Sequence, residues 1–121
     1  MVVRRRDHGM VTAETAMVIP VLVALMLILV WMVSLGIAQV RLVDATREAA
    51  RMTARGDRES VATRLAEKIA PDGTEIEITD SGGVARVRAR LAVRPDLPLV
   101  GDLGAVNLHA ESSSASENGE P

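Results

Sequence analysis

Residues 16–35 read AMVIPVLVALMLILVWMVSL, and the fold turns on how they are read. They lie within twenty-six uncharged residues, Thr15 to Val40, bounded by Glu14 and Arg41. At about 1.5 Å of rise per residue this stretch makes roughly 39 Å of helix, against roughly 30 Å of hydrocarbon in a bilayer. A helix this apolar buried in a soluble protein would need a large surrounding fold, and the whole chain has 121 residues. The stretch therefore reads as a membrane-inserted helix. Pro20 removes the hydrogen bond otherwise given to Ala16, about one turn inside the run, where membrane helices tolerate a kink. Ser34 and Ala38 form a small-xxx-small pair, a spacing that lets two helices approach closely. Trp31 is isolated and too deep in the run to act as an interfacial belt residue.

On the N-terminal side the chain reads MVVRRRDHGMVTAET. A basic leader with Arg4, Arg5 and Arg6 ends in Gly9, five residues follow as Met10 to Glu14, and the apolar run begins almost at once. This arrangement resembles a prepilin-type leader, in which a membrane protease cuts after a glycine; such a cut after Gly9 would remove the cationic cluster that holds this helix end at the membrane face. It would leave one new ammonium at Met10 and one carboxylate at Glu14. A carboxylate entering an apolar helix bundle is costly unless paired, and the ammonium of the same or a neighbouring subunit is a suitable partner. Two alternatives stay open. Gly36-Ile37-Ala38 places small residues where an ordinary signal peptidase cuts, before Gln39, although the apolar region is longer than usual for such a signal. The leader can also stay on, as in a signal anchor. Arg41, Arg47, Arg51, Arg55 and Arg58 follow the helix, so a count of flanking positive residues does not orient it.

Beyond the membrane, QVRLVDATREAARMTARGD holds no helix breaker before Gly56, and the alanines and i,i+3 charge pairs favour helix. The expected organisation is a leader at 1–9, a transmembrane and stalk helix at 10–56, a small domain at 57–111 and a disordered tail at 112–121. Within the domain, a second helix starting at Asp57 to Ser60 gathers Val61, Leu65 and Ile69 with Ala62 and Ala66 on one face. Pro71-Asp72-Gly73 ends it. Residues 74–79 alternate around Ile76 and Ile78, Asp80-Ser81-Gly82-Gly83 turns the chain, and residues 84–94 alternate again, which predicts a hairpin with one buried face. Pro95, Pro98, Gly101 and Gly104 mark a loop, and Val106, Leu108 and Ala110 predict a third strand. The fold class is α+β: a long N-terminal transmembrane and stalk helix, then one helix on a three-stranded antiparallel sheet.

Composition narrows the function. The net charge of −2 and the complete lack of Phe and Tyr argue against nucleic acid as a partner. Arg86, Arg88 and Arg90 form a stripe on the hairpin, read as a solvated strand face opposite Glu75 and Glu77. With no Cys there is no disulfide, thiol nucleophile or thiolate metal site. His8 and His109 are too few for a His-rich site, and His109 reads as a surface strand residue. No nucleophile–base pair or phosphate loop stands out, so the expectation is a non-enzymatic protein without catalytic residues, metal, cofactor or small-molecule substrate. A domain this small is marginal alone, and neighbouring subunits would help it.

The leader, with Gly9 and the glutamate at the fifth following position, resembles a prepilin-type leader. Together with Ala16, Pro20 and Gly36 in the helix and Leu42, Ala45, Arg47, Glu48, Ala49, Ala50 and Arg51 after it, the chain resembles a TadE-like pseudopilin of the tight-adherence pilus system. Thirteen Arg against one Lys suit the actinobacterial branch. Thr15 departs from the aromatic residue common after the glutamate. The resemblance implies cleavage by a prepilin peptidase between Gly9 and Met10, with Glu14 as the assembly residue. It further implies a single-pass protein with a cytoplasmic N-terminus and an extracytoplasmic C-terminal domain, whose partners are the membrane, other pilins and pilus assembly proteins. The rival outside this class is a signal-anchored regulatory or partner-binding membrane protein; a secreted domain released after Ala38 is the third reading.

Overall fold

The computed structural model describes residues 4–96 and 104–116, with side chains from Gly9 onward. The elements are α1 (Arg4–Ala54), α2 (Glu59–Ile69), β1 (Glu75–Ser81), β2 (Val84–Val93) and β3 (Val106–Ala115). The expected α+β class holds. The leader's Met1 to Val3, Pro98 and Gly101 of the predicted loop, and residues 117–121 of the predicted tail lie outside the described residues. The chain divides into two compact units, Met1–Ser34 and Leu35–Pro121.

The first unit is helical from Arg4, earlier than the expected start at Met10, because nothing between Arg4 and Glu14 breaks a helix except the tolerated Gly9. From Met10 to Val30 every side chain is exposed.

The second unit is built on the last part of α1. Gly56 stops that helix in the left-handed region, at φ 89°. The Gly56 amide bonds back to the Thr53 carbonyl and the Asp57 amide to the Met52 carbonyl, the paired bonds of a Schellman end. Strand order is β1-β2-β3, antiparallel throughout. Gly82 and Gly83 form the two-residue turn between β1 and β2, both with positive φ (62° and 75°), as a tight hairpin turn with the right twist requires. The four-residue turn expected at 80–83 is thus narrower, and β1 extends through Ser81.

Burial follows the pleat. In β2 Ala85, Val87, Ala89 and Leu91 are buried while Arg86, Arg88 and Arg90 are exposed. Ile76 and Ile78 of β1, with Leu108 and Ala110 of β3, share the inner face. Against it pack Leu42, Ala45, Ala49 and Ala50 of α1, and Ala62 and Ala66 of α2 with Ala70 beyond its end. The core is mostly alanine, so helix and sheet backbones approach closely with little side-chain volume between them.

Three expectations need correction. Of the α2 face expected to gather Val61, Leu65 and Ile69 with Ala62 and Ala66, the two alanines are buried and Leu65 and Ile69 half-buried, but Val61 is 42% exposed. A stripe only one alanine wide fits the narrow space, and Val61 lies about 100° away from Ala62 around the helix. The domain expected at 57–111 shares its core with α1, so the compact unit begins at Leu35. The tail expected to be disordered from Ser112 is strand through Ala115, because β2 is long enough for Val84, Ala85, Arg86 and Val87 to pair with Ala115, Ser114, Ser113 and Ser112. Ladder hydrogen bonds do not require apolar side chains.

Candidate functional site

The residues singled out from the sequence, Gly9, Met10 and Glu14, lie on one continuous helix within about one and a half turns. All three are exposed, and a Cβ built on Gly9 would meet nothing within 4 Å. Met10 and Glu14 stand one turn apart on one helix face, the i,i+4 spacing at which groups meet. Thr15 Oγ1 donates to the Val11 carbonyl at 2.8 Å, so the polar residue following Glu14 is satisfied within its own helix. Ser34 does the same, donating to the Val30 carbonyl at 3.0 Å.

From Thr15 to Val30 the helix presents exposed hydrocarbon on all sides. Met17, Ile19, Leu22, Leu25, Leu29 and Val33 are each at least half exposed. The segment's mean hydropathy reaches 2.9, and it is long and apolar enough to cross a membrane, which fits a single-pass anchor. Trp31 Nε1 is shielded from solvent and has no hydrogen-bond partner among the described residues.

The Arg stripe lies on the outer sheet face, in register with the residues expected: Glu75 faces Arg90 and Glu77 faces Arg88. The ion pairs form on the other side. Arg86 Nε lies 3.2 Å from Glu111 and Arg88 Nε 2.9 Å from it, so the β3 carboxylate bridges two arginines. Sequence reading placed Glu111 next to a disordered tail and so missed its partner role. His109 is exposed on β3, and its carbonyl accepts a hydrogen bond from Gln39 Nε2 at 3.0 Å. Among the described residues no three His, Cys, Asp or Glu side chains converge as a metal site.

A family model described as TadE-like protein matches residues 9–51, from the candidate processing glycine through the part of α1 that packs on the sheet. The chain is 39% identical over 88 residues to a Mycobacterium tuberculosis (strain ATCC 25618 / H37Rv) protein named Apoptosis inhibitor Rv3655c, a match covering 71% of this chain and 70% of the relative. No solved structure matches it. The family match begins at Gly9 and the similarity to the relative runs over most of both chains, so the chain belongs to the TadE-like family.

Proposed function

We propose that this chain is a pilin-like structural or assembly component of a tight-adherence type IV pilus or a related secretion machine, of the actinobacterial type. In this reading a prepilin peptidase cuts between Gly9 and Met10, and the mature chain is a single-pass, non-enzymatic membrane protein whose Leu35–Pro121 unit lies outside the cytoplasm. The observation that carries it is the placement of Gly9 five residues before Glu14, directly ahead of an apolar helix whose side chains are all exposed from Thr15 to Val30. Before cutting, Arg4, Arg5 and Arg6 anchor the helix end at the cytoplasmic face. Afterwards Glu14 and the Met10 ammonium are the only formal charges on the helix before Arg41. A neutral pair of this kind can move from membrane to helix bundle at far lower cost than three guanidinium groups. The exposed hydrocarbon, solvated by lipid in the monomer, is then covered by like helices in the assembly.

Determining the N-terminus of the mature protein tests this. Met10 as the first residue supports the reading, Gln39 supports a secreted domain, and an intact leader supports a signal-anchored regulatory or partner-binding protein.

A further inference from the structure

Among the described residues no strand pairs with either edge of the sheet in the Leu35–Pro121 unit, and the two edges differ in character. The two-residue turn makes Ser81 and Val84 a hydrogen-bonded pair, so the backbone groups of residues 75, 77, 79 and 81 face β2 and those of Ile76, Ile78 and Asp80 face outward. At the other edge the Ser116 amide donates to the Gly83 carbonyl at 2.7 Å, which puts even-numbered β3 residues in pairs with β2. The backbone groups of Asn107, His109, Glu111, Ser113 and Ala115 then face outward. The bond from Gln39 to the His109 carbonyl agrees with this phase and occupies that acceptor, which leaves the outward groups of Glu111, Ser113 and Ala115 for a further strand.

Natural edge strands are protected by shortness, proline, lysine or a bulge. β1 has 7 residues with the carboxylates Glu75, Glu77 and Asp80, and so repels a second β1. β3 has 10 residues in an unbroken register, without Pro or Lys, and its one carboxylate is turned onto Arg86 and Arg88. Beside its C-terminal half runs a groove of about 430 Å³ lined by Arg47 and Arg51 of α1 and by Ser112, Ser113 and Ser114.

We propose that the β1 edge of one copy of this chain pairs with the β3 edge of a second copy, extending one sheet from subunit to subunit. Asp80 lies on the same pleat as Ile76 and Ile78, the side that faces the helices. In a continued sheet it therefore arrives on the α1 side of β3, where Arg47 stands beside Arg51, the latter 3.9 Å from Glu48 of its own helix. Because β1 and β3 are each antiparallel to β2, they run parallel to one another. Copies that point the same way join β1 to β3 as a parallel pair, whereas β3 joined to β3 about a twofold axis would reverse one of them. Joining unlike edges is a heterologous contact, which leaves one edge free at each end and propagates. The inference deepens the pilin reading by naming a subunit contact outside the membrane helix.

The chain has no Cys, so introduced pairs report cleanly. Thr79, Arg86 and Ser113 stand in one row across the sheet, so Thr79 and Ser113 of one copy are separated by two strand spacings, about 9.6 Å, too far for a disulfide within one chain. Full-length protein in native membranes, carrying one of Thr79→Cys or Ser81→Cys together with one of Ser113→Cys or Ala115→Cys, is oxidised and resolved by size. At least one of the four double variants is expected to give a ladder of dimers, trimers and larger species, while the four single variants give none. In the ladder-forming variant, Arg47→Glu should cut multimer yield several-fold and Asp80→Arg should restore it. Ser113→Pro, combined with an Ala115→Cys pair, should abolish the ladder while leaving the monomer's trypsin resistance unchanged, since the Ser113 amide faces outward and gives up no bond to β2. No multimers in any double variant, or Ser113→Cys alone dimerising as well as the doubles, would overturn the proposal. A separate Val23→Cys variant reports helix association: crosslinking there without a ladder removes the edge contact and leaves the pilin reading, and a ladder without it does the reverse.

Discussion

Thr46 Oγ1 on α1 lies 2.9 Å from Ser112 Oγ on β3, and Thr46 also donates to the Val43 carbonyl at 2.9 Å. With its proton given to Val43, Thr46 accepts from the Ser112 hydroxyl. Thr46 is 1% exposed, so this is a polar joint inside an alanine-rich seam between helix and sheet. Thr46→Val keeps the shape and leaves the half-buried Ser112 hydroxyl without its acceptor, for an expected loss of about 1 kcal/mol. Pulse proteolysis of the detergent-solubilised chain in urea measures it. The Thr46→Val/Ser112→Ala double variant should lose less than the sum of the two singles, because the pair acts as a unit.

Val87 sits at 0% exposure in the middle of β2, opposite Ile78 on one side and Ser112 on the other. Val87→Asp places a carboxylate at a fully buried position, and such a change costs several kcal/mol unless the group is protonated. A small domain has little stability to lose, so the Leu35–Pro121 unit is expected to unfold while the membrane helix still inserts. Rapid trypsin cleavage beyond Arg86 with normal membrane recovery is the expected pattern; wild-type resistance would refute the burial argument.

Glu111 offers a contrast. It pairs with Arg86 and Arg88, yet all three side chains are about half exposed. Solvent screening holds exposed pairs to below about 1 kcal/mol each. Glu111→Gln should therefore shift the urea midpoint far less than Val87→Asp, and the difference from wild type should shrink further in high salt.

The hairpin was legible because two signals agreed: alternation of Ile76, Ile78, Val87 and Leu91 on one face, and a Gly-Gly pair at the turn. The stop at Gly56 was legible for the same kind of reason, since a left-handed residue ends the helix. Ser112 to Ala115 carried no such signal. Serines alternate with nothing, and their strand state is imposed by the unpaired half of β2, a tertiary demand that local propensity does not encode. Val61 failed differently. It fits the helical apolar pattern, but α2 turns Ala62 and Ala66 toward the sheet and Val61 away from it, and which part of an apolar face is turned inward depends on the partner surface rather than on the helix's own sequence. The spacing of Gly9, Met10 and Glu14 is local to one helix and so can be read from the sequence alone; in the proposed reading the groups that act on them belong to other chains.

Processing gives a test at Gly9. Among the described residues nothing lies within 4 Å of a Cβ at this position, so Gly9→Arg meets no neighbour there. Any loss of cutting then reflects a large charged side chain at the proposed cleavage position. The variant is expected to accumulate with residues 1–9 attached, heavier by the mass of the leader, and an unchanged mature mass would exclude cleavage there.

Glu14→Gln tests whether the charge at this position serves insertion or assembly. Twenty-six uncharged residues follow it, enough to insert without help from a charge, and the side chain is exposed on the helix surface. In a lipid-embedded monomer it can stay near the aqueous interface, where its charge matters little. In a bundle of mature helices it lies one turn from its own Met10 ammonium and within reach of a neighbour's, surrounded by hydrocarbon, where pairing decides whether the packing is tolerable. Glu14→Gln keeps the size and hydrogen-bonding capacity and removes the charge. The expected result is membrane recovery and leader removal near wild-type levels, with Val23→Cys crosslinking between subunits and pilus formation both reduced at least several-fold. If Glu14→Gln crosslinks and piliates as wild type does, Glu14 is a flanking residue only, and assembly depends on the apolar helix surface without a buried charge pair.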